Sequence, residues 1–260
     1  MHATQREKLI MSLLEARGFL SFRELEAQLD ASPATIRRDL ERMATQGQLA
    51  RVRGGVQPVG EVASGASEPH LSGVPFHENI HRHPAEKVMI GKAAAGLCAP
   101  GEGVMIDGGS TTLQMCPHLA GLNLQVLTNS LHIVSALLPQ SGTRILLPAG
   151  TVFREQNIIL SGEGEDGMPR FHAPKLFMGA AALGAQGLMQ ADPVLVAAER
   201  RLIERADQII VLVDSSKFLG SSGHVVCGLE EIDTVITDAG VTDADRRMIE
   251  QADVRLIVAG

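Results

Sequence analysis

Hydrophobic positions near the N-terminus recur at helical spacing. Residues 4–18 place four apolar side chains on one face of a helix that Gly18 ends, namely Leu9, Ile10, Leu13 and Leu14. A short second helix is expected next, with Phe22, Leu25 and Leu29 facing inward. The Ser-Phe-Arg-Glu run at 21–24 predicts a capping box at its start. Both helices therefore contribute apolar faces to a small N-terminal core.

A third helix is predicted from the run ASPATIRRDLERM, residues 31–43. Ser32 is a good N-cap residue, and Pro33 is preset for the first helical position. The apolar face of this helix carries Ile36, Leu40 and Met43. Two short extended runs then surround Gly54 and Gly55, which predicts a hairpin.

The pattern changes after about residue 85. Short runs rich in β-branched residues alternate with helical stretches, which is typical of an α/β domain with a largely parallel sheet. The runs that predict strands are 103–107, 124–129, 144–150, 208–214, 233–238 and 255–260. Residues 58–85 are rich in Gly, Ser, Pro and His without an apolar period. We therefore expect a small domain at 1–57, a linker at 58–85 and an α/β domain at 86–260.

Composition narrows the classes of function. Hydrophobic residues make up 45% of the chain, but aromatic residues only 3%, and Trp and Tyr are absent. A surface that stacks nucleic-acid bases on aromatic rings is therefore excluded. No apolar run approaches the ~18 residues of a membrane span, so no membrane partner is expected. Cys98, Cys116 and Cys227 are odd in number and lack metal-binding spacing, which favours a reduced, cytoplasmic protein without a metal site.

Charge is unevenly distributed along the chain. Residues 1–57 hold nine Lys and Arg against seven Asp and Glu, a balance of +2, whereas the whole chain carries −7 and the remainder therefore −9. Within the third helix, Arg38 and Glu41 lie opposite the apolar face and Arg37 and Arg42 flank it. A helix whose outer face is small, polar and cationic suits the DNA major groove, although a solvated helix face has a similar composition.

The order of these elements resembles the winged helix-turn-helix of the DeoR family of bacterial transcriptional regulators. The matching run is SFRELEAQLDASPATIRRDLERMATQGQLARVRGGV, residues 21–56. The resemblance implies a double-stranded DNA operator as partner. The residues it implies at the DNA are Ser32, Thr35, Arg37, Arg38 and Arg42 in the helix and Arg51, Arg53, Gly54 and Gly55 in the wing.

A second candidate site lies in the α/β region. The run MIDGGSTT, residues 105–112, is an apolar strand that leads through glycines and hydroxyl residues into a helix. Such a turn suits a phosphate, but it is neither a Walker A nor a G-x-G-x-x-G motif, and no cofactor is expected. The strands ending in LTNS (127–130) and VDSSK (213–217) bring similar residues to the same sheet edge. A plain structural turn, helix capping by residues 128–130 and a solvated Lys217 are the alternatives.

These runs also resemble the DeoR-family sensor domain, which is similar in fold to ribose-5-phosphate isomerase. The resemblance implies a phosphorylated sugar or sugar-acid effector. Its implied binding residues are Asp107, Gly108, Gly109, Ser110, Thr111, Thr112, Thr128, Asn129, Ser130, Gly150, Gly179 and Lys217. Ala149 stands where the family often has glycine, and Lys175 where it often has an acidic residue. A positive charge at Lys175 near the mouth of the site would suit a sugar-acid phosphate.

Two classes of function follow. The first is a sugar-responsive transcriptional regulator, a repressor of carbohydrate catabolism genes, acting as a homodimer or homotetramer because paired half-sites need paired modules. The second is a sugar-phosphate isomerase with Asp107 or Glu199 as base and Lys217 as its electrostatic partner. The N-terminal unit favours the regulator, since an isomerase has no need of it.

Overall fold

The computed structural model describes residues 3–17, 20–22, 25, 28–29, 31–46, 48–52, 55–58, 74–161, 167–220 and 222–260. The chain divides into two compact units, Met1–Pro69 and His70–Gly260. The predicted linker runs across this division, and its residues 74–85 are described as part of the second unit. Each unit is taken separately below.

The N-terminal unit packs helices beside a small antiparallel sheet. Its elements are α1 (Ala3–Arg17), β1 (Leu20–Ser21), α2 (Pro33–Thr45), β2 (Leu49–Val52) and β3 (Gly55–Pro58), with strand order β1-β3-β2. Its buried core includes Ile10, Leu14, Leu25, Ile36, Leu40 and Met43. The apolar face predicted for the third helix is confirmed. Most of the predicted second helix and its capping box lies outside the described residues, and Ser21 belongs to β1, where it pairs with Gly55.

The second unit is built on a seven-stranded, wholly parallel sheet. Its strands are β4 (Gly103–Ile106), β5 (Gln125–Leu127), β6 (Arg144–Leu146), β9 (Ala173–Met178), β12 (Ala206–Leu212), β14 (Thr234–Asp238) and β15 (Arg255–Ala259). Their order is β15-β14-β12-β9-β4-β5-β6. All six runs predicted as strands lie in this sheet, so the predicted fold class is confirmed. The central strand β9 was not among them.

Helices separate the strands in the chain. They are α3 (Phe76–Asn79), α4 (Pro84–Ala95), α5 (Leu131–Leu137), α6 (Pro193–Ile203) and α7 (Asp243–Gln251), with 3₁₀ helices at Thr112–His118, Ser215–Phe218 and Leu229–Glu231. Two buried clusters divide the strand side chains between them. Met105 and Leu127 join the residues of α6 and α7, whereas Val104 and Val126 join those of α4 and α5. Successive residues of each strand therefore alternate between the α6 face and the α4 face.

Two small antiparallel additions complete the unit. Strands β7 (Thr151–Phe153) and β8 (Ile158–Leu160) form a hairpin, and β10 (Ala182–Gly184), β11 (Gly187–Gln190) and β13 (His224–Cys227) form a separate sheet. None of these strands was among the runs predicted as strands from the sequence. Among the described residues, no helix is long and apolar enough to cross a membrane.

Candidate functional site

The carboxyl ends of neighbouring parallel strands bring the predicted site residues to one edge of the sheet. Ile106 on β4 pairs with Phe177 on β9, and Val211 on β12 pairs with Met178. Asp107 continues β4, since its N–H donates to the carbonyl of Phe177 at 2.9 Å. The ends of β4, β9 and β12 are therefore level, and the ends of β4 and β12 are about 10 Å apart because strand spacing is about 4.8 Å.

Asp107 and Asn129 form the centre of this edge. Asp107 follows β4 and Asn129 follows β5, and the two side chains are 3% and 4% exposed. The Asn129 amide donates to Asp107 Oδ1 at 2.8 Å and accepts the Gly108 N–H at 2.9 Å. Burial raises the pKa of the Asp107 carboxyl from 3.8 to about 6, against the opposing effect of the Asn129 and Gly108 hydrogen bonds. A buried carboxyl whose pKa is raised in this way is a candidate for a functional group.

The loop after Asp107 is closely packed. A Cβ on Gly108 would lie 2.4 Å from a side-chain carbon of Ile158, so glycine is required there. Thr112 Oγ1 donates to the carbonyl of Asp107 at 2.8 Å and has the Gly109 carbonyl at 3.0 Å. Ser110, Thr111 and Thr112 are all buried. The Thr112 hydroxyl therefore holds the loop in shape.

The side chains of Thr128 and Ser130 accept hydrogen bonds from backbone N–H groups two or three residues further along the chain. Ser130 is the N-cap of α5, and its Oγ accepts the Ile133 N–H at 3.3 Å. The Ser130 N–H in turn donates to Thr128 Oγ1 at 3.1 Å. Helix capping, one of the alternatives considered for residues 128–130, is therefore what Ser130 does in the structure. Asn129 between them is the member of this run that points to Asp107.

Gly150 and Gly179 lie at two other points of the edge. A Cβ on Gly150 would come within 2.0 Å of the Leu160 carbonyl oxygen, so the β8 strand passes directly over it. Gly179 follows β9, between the ends of β4 and β12, where an added Cβ would meet its nearest atom at 4.0 Å. Gly150 is therefore required for packing, whereas Gly179 leaves open space at the edge.

A recess with about 320 Å³ of empty space, counted with its opening to solvent, lies on the α6 side of this edge. It is lined by Leu127, Asn129, Pro148, Ile159, Ser161, Met168, Ala198, Arg201 and Leu202. The Arg201 guanidinium donates to the Ser161 carbonyl at 3.2 Å within this lining. Asn129 therefore joins the Asp107 centre to a partly apolar recess.

A second buried carboxyl, Glu199 on α6, lies near Asp107. Its Oε1 accepts the Gln190 amide at 2.6 Å, and its Oε2 is buried without a hydrogen-bond partner. Burial first, and then the charge of Asp107, raise the pKa of Glu199 well above its ordinary value, and the Gln190 bond opposes this. Sequence analysis named Glu199 only as an isomerase base. Two carboxyl groups, those of Asp107 and Glu199, are therefore buried near each other on the α6 side of the edge.

Lys217 lies on the other side, in a cluster of cations around Asp214. Asp214 follows β12 and caps the 3₁₀ helix that carries Lys217, accepting the Ser216 N–H at 3.2 Å. Burial lowers the pKa of Lys217, while Asp214 raises it and Arg82 lowers it further. Lys87 on α4 is 1% exposed, and burial lowers its pKa to about 8. No hydrogen bond among the described residues joins Lys217 to Asp107.

Sequence analysis missed Lys87 and Arg82. A signal for Lys87 was present, because it lies on the same face of α4 as Ile90, Gly91 and Ala94, at i+3, i+4 and i+7, all of which are buried. A lysine on the apolar face of a helix indicates a buried cation that needs a partner. Arg82 gave no such signal, since it lies in a stretch with the composition of a linker.

The expectation for Lys175 was wrong. Lys175 pairs with Val104 in the sheet register, three residues before Asp107 on β4, and its ammonium forms an ion pair with Glu102 at 2.5 Å. Because parallel strands rise about 3.3 Å per residue, Lys175 lies about 10 Å below the carboxyl edge. It therefore adds no positive charge to the mouth of the site.

The candidate nucleic-acid interface is on α2. Ser32 caps the helix by accepting the Thr35 N–H at 3.3 Å, and the two hydroxyls are 2.9 Å apart. Arg37 and Arg38 are exposed, and the Arg37 guanidinium lies 5.0 Å from the centre of the Phe22 ring. Arg42 instead forms ion pairs with Asp39, at 2.9 Å, and with Glu7. The outer face of α2 is therefore cationic. Of its three arginines, Arg38 is the one without an ion pair or ring contact to another described residue.

The predicted wing is present as an antiparallel hairpin. Strands β2 and β3 pair from Leu49 with Pro58 to Val52 with Gly55. Arg51 belongs to β2, whereas Arg53 and Gly54 lie outside the described residues. The two strands of the hairpin predicted around Gly54 and Gly55 are confirmed.

Two family descriptions match the chain along most of its length. Residues 6–61 match the DeoR-like helix-turn-helix domain, and residues 82–239 match the DeoR C terminal sensor domain. The chain belongs to the DeoR family of transcriptional regulators. The first match lies in the N-terminal unit and the second lies in the sensor unit.

Curated relatives of this DeoR-family regulator share its full length. The HTH-type transcriptional regulator UlaR of Shigella dysenteriae serotype 1 is 28% identical over 257 residues, covering 99% of each chain. UlaR of Escherichia coli O9:H4 has the same identity and coverage.

Similar solved structures cover parts of the chain. Ribose 5-phosphate isomerase A from Methanocaldococcus jannaschii has a TM-score of 0.37 and 15% identity, covering 51% of this chain and 53% of its own. The probable sor operon regulator from Shigella flexneri has a TM-score of 0.34 and 8% identity, covering 68% and 86%.

Proposed function

We propose that this DeoR-family regulator represses carbohydrate catabolism genes and releases its operator when a phosphorylated sugar binds the sensor unit. The observation that carries the proposal is the buried Asp107–Asn129 pair, set directly behind a glycine-rich loop at the carboxyl edge of a parallel sheet. Ligands of open α/β sheets collect at that edge. The paired carboxylate and amide suit sugar hydroxyls, and the loop backbone with Lys217 suits a phosphate.

The chemistry of the α6 side favours a neutral sugar phosphate over a sugar-acid phosphate. Asp107 and Glu199 are both buried there, and each has a raised pKa. A ligand carboxylate beside them would lose its hydration next to two carboxyl groups whose own negative charge is already disfavoured, which is unfavourable. Hydroxyl groups, by contrast, donate hydrogen bonds to these carboxyl oxygens. Because Lys175 is engaged by Glu102, its positive charge does not favour a sugar-acid effector.

A panel titrated into the full chain tests this assignment. The panel pairs each sugar phosphate with its parent sugar and with the corresponding sugar-acid phosphate, and calorimetry measures binding. We expect a neutral sugar phosphate to bind and its parent sugar to bind far more weakly. The corresponding sugar-acid phosphate is expected to have a lower affinity than the neutral sugar phosphate. Tighter binding by the acid phosphates would refute the hydroxyl assignment for Asp107 and Glu199.

For the N-terminal unit, we propose that Ser32, Thr35, Arg37 and Arg38 lie in the DNA major groove, and that Arg51, Arg53, Gly54 and Gly55 contact the flanking backbone. The exposed cationic face of α2 supports this. Arg42 lies one helical turn beyond Arg38, but its guanidinium is engaged by Asp39 and Glu7. One module gives limited specific contact, so we propose a homodimer or homotetramer on paired half-sites. Full operator affinity in a sample that sediments as a monomer would contradict the oligomer.

The isomerase alternative has one supporting observation, the pKa of Asp107 of about 6, which is suitable for a general base. We propose binding without turnover, because the full-length relatives are named transcriptional regulators. Incubation of the full chain with ribose 5-phosphate and detection of the ketose decides between them. Turnover that Asp107→Asn abolishes would establish the enzyme.

A further inference from the structure

The first described stretch of the sensor unit is attached to the β7–β8 hairpin. We call residues 74–80 the junction segment, which includes the short helix α3. The Phe76 N–H donates to the Glu155 carbonyl at 3.0 Å, and the Gln156 side-chain amide donates to the Val74 carbonyl at 3.1 Å. Two successive residues of the hairpin turn therefore bind the junction segment.

A ring contact adds to this attachment. Phe76 is 4% exposed, and its ring stacks on that of His132 of α5, with centroids 4.1 Å apart and an interplanar angle of 12°. The side-chain amide nitrogen of Asn157, the next residue of the same turn, lies 3.2 Å from His132 Nε2. The turn therefore contacts the backbone of Phe76 and also the ring on which Phe76 stacks.

The β8 strand of the same hairpin is attached to the candidate site. The Ile159 N–H donates to the Asn129 carbonyl at 2.8 Å, and Ile158 forms an antiparallel bridge with Ser130. The Ile158 side chain lies against Gly108 in the glycine-rich loop. One short strand therefore leads from the turn that binds the junction segment to the centre of the candidate site.

The β8 strand and the residue that follows it also contribute to the recess. Ile159 and Ser161 line it from the hairpin, and Ala198, Arg201 and Leu202 line it from α6. The Arg201 guanidinium donates to the Ser161 carbonyl at 3.2 Å, which joins the two parts of the lining. A ligand that contacts both parts adds bonds of the same kind, and these hold β8 in the position in which the turn binds the junction segment.

The hairpin has little support of its own. Its two strands of three residues form a separate sheet, outside the seven-stranded parallel sheet. A two-stranded hairpin is marginally stable by itself, so its position depends on the contacts that it makes at its two ends. Elements of low local stability are the ones that open while the rest of a protein stays folded. The hairpin is therefore suited to move while the parallel sheet remains intact.

We propose that the β7–β8 hairpin couples occupancy of the recess to attachment of the junction segment. A ligand that joins β8 to α6 strengthens the attachment, and an attached junction segment favours ligand binding by the same factor. The junction segment follows the DNA-binding unit in the chain, so the hairpin gives a ligand in the recess a route to operator binding. That last step rests on the function proposed above, whereas the coupling within the sensor unit does not.

Hydrogen exchange of the full chain without a ligand tests the coupling from both ends of the hairpin. Arg201→Met removes the bond between α6 and Ser161. We expect the Phe76 amide to exchange about fivefold faster in this variant, the change typical of losing one hydrogen bond. Gln156→Ala weakens the attachment of the junction segment, and we expect the Ile159 amide to exchange faster by a similar factor.

Each variant has a matched control. Arg200→Met changes the neighbouring arginine of α6, which bonds to Val226 and Glu231 rather than to the hairpin. Glu155→Gln changes an exposed side chain of the hairpin turn and leaves the carbonyl that accepts the Phe76 N–H in place. We expect both controls to exchange like the parent.

All rates are expressed relative to that of the Val213 amide, which donates to the Ile236 carbonyl inside the parallel sheet, so that a change in global stability cancels. An unchanged relative rate at Phe76 in Arg201→Met, or at Ile159 in Gln156→Ala, would overturn the inference. An equal acceleration at Phe76 in Arg200→Met would overturn it as well. The measurement contains neither DNA nor a sugar phosphate, so its failure and the failure of the proposed function are distinguishable.

Discussion

At the scale of single residues, Arg38 and Arg42 lie one turn apart on α2 but have different surroundings. Arg38 is exposed without a described ion pair, whereas Arg42 is paired with Asp39, which also holds Arg6 at 2.7 Å. Arg38→Ala is expected to weaken operator binding about tenfold or more, with the free energy of unfolding unchanged, since one direct contact is worth about 1–3 kcal/mol. Fluorescence anisotropy with operator DNA, beside chemical unfolding, measures both quantities.

Arg42→Ala serves as the comparison. It is expected to lower the free energy of unfolding of the N-terminal unit by up to about 1 kcal/mol, because Arg42 is partly exposed and such ion pairs are weak. Its effect on DNA affinity should be smaller than that of Arg38→Ala. The reverse order of DNA affinities would show that Arg42 leaves its ion pairs in the complex and that the placement of α2 is wrong.

Asp107 gives a prediction about pH. Its folded-state pKa of about 6 lies above the ordinary value of 3.8, so the native state binds more protons than the unfolded state in that interval. Stability due to this group therefore falls as pH rises from about 4 to about 6. Asp107→Asn should remove that fall and raise the free energy of unfolding at pH 7 by about 1–3 kcal/mol, since one pKa unit is about 1.4 kcal/mol. Effector binding should weaken at the same time.

Urea unfolding of the parent and of Asp107→Asn at pH 4, 5, 6 and 7 measures the effect. Glu204→Gln is the control, because Glu204 is an exposed carboxylate on the same unit. A variant that is less stable than the parent at pH 7 would show that the Asn129 hydrogen bond outweighs the cost of burying the charge.

The role of a single residue can be predicted from the sequence when its interaction partners are near it in the chain. The Ser32 cap was predictable because capping involves neighbours within three positions. The hydrogen bond between Asp107 and Asn129 was predictable only in part. It requires β4 to lie beside β5, and the polar residues at the ends of both strands indicate the same sheet edge without fixing which strands are neighbours. The expectation for Lys175 was wrong because its position along β9 depends on the register with β4, which a sequence does not contain. Arg82 was missed because it lies in a stretch with the composition of a linker, and Lys87 was missed although its place on the buried face of α4 was a signal.

At the scale of elements, the contact of α4 with the 3₁₀ helix Thr112–His118 supports the glycine-rich loop. Gly91 makes it possible, because a Cβ there would lie 2.5 Å from the backbone carbon of Gln114. Gly91→Ala should favour α4 by about 1 kcal/mol through helix propensity. Forcing backbones apart typically costs about 1–3 kcal/mol, so we expect a net loss of stability and weaker effector binding.

Gly223→Ala is the matched control for this change, since an added Cβ there meets no atom within 4 Å. Thermal unfolding of both variants measures the difference in Tm. An increase in Tm for Gly91→Ala would mean that the two helices separate without cost, and that this contact does not shape the loop.

Elements within the alternating apolar and helical runs of the sequence were predictable, and the antiparallel additions were not. The helices α4, α6 and α7 and six strands of the parallel sheet lie in such runs, although β5 and β6 have only three residues each. The hairpin β7–β8 and the sheet β10-β11-β13 have strands of three or four residues. Their pairing depends on tertiary contacts that a sequence window does not contain. Helix α3 was likewise hidden, because its four residues lie in a linker-like composition.

At the scale of the whole molecule, a basic N-terminal unit precedes an acidic sensor unit, in which we propose the effector site. Effector and operator then affect each other's binding by the same factor, as linkage requires, and such coupling is typically about 1–3 kcal/mol. Operator binding should also weaken steeply with salt, because cationic contacts to phosphate release counterions.

The most direct test of this account measures binding of the full chain to the DNA upstream of its own gene while a panel of sugar phosphates is titrated. We expect specific binding that one phosphorylated sugar releases, while its unphosphorylated parent does not, and that release to be impaired in Asp107→Asn. Specific binding that no sugar phosphate alters would contradict the assignment of the sensor. The absence of specific binding at any salt concentration would contradict the repressor itself.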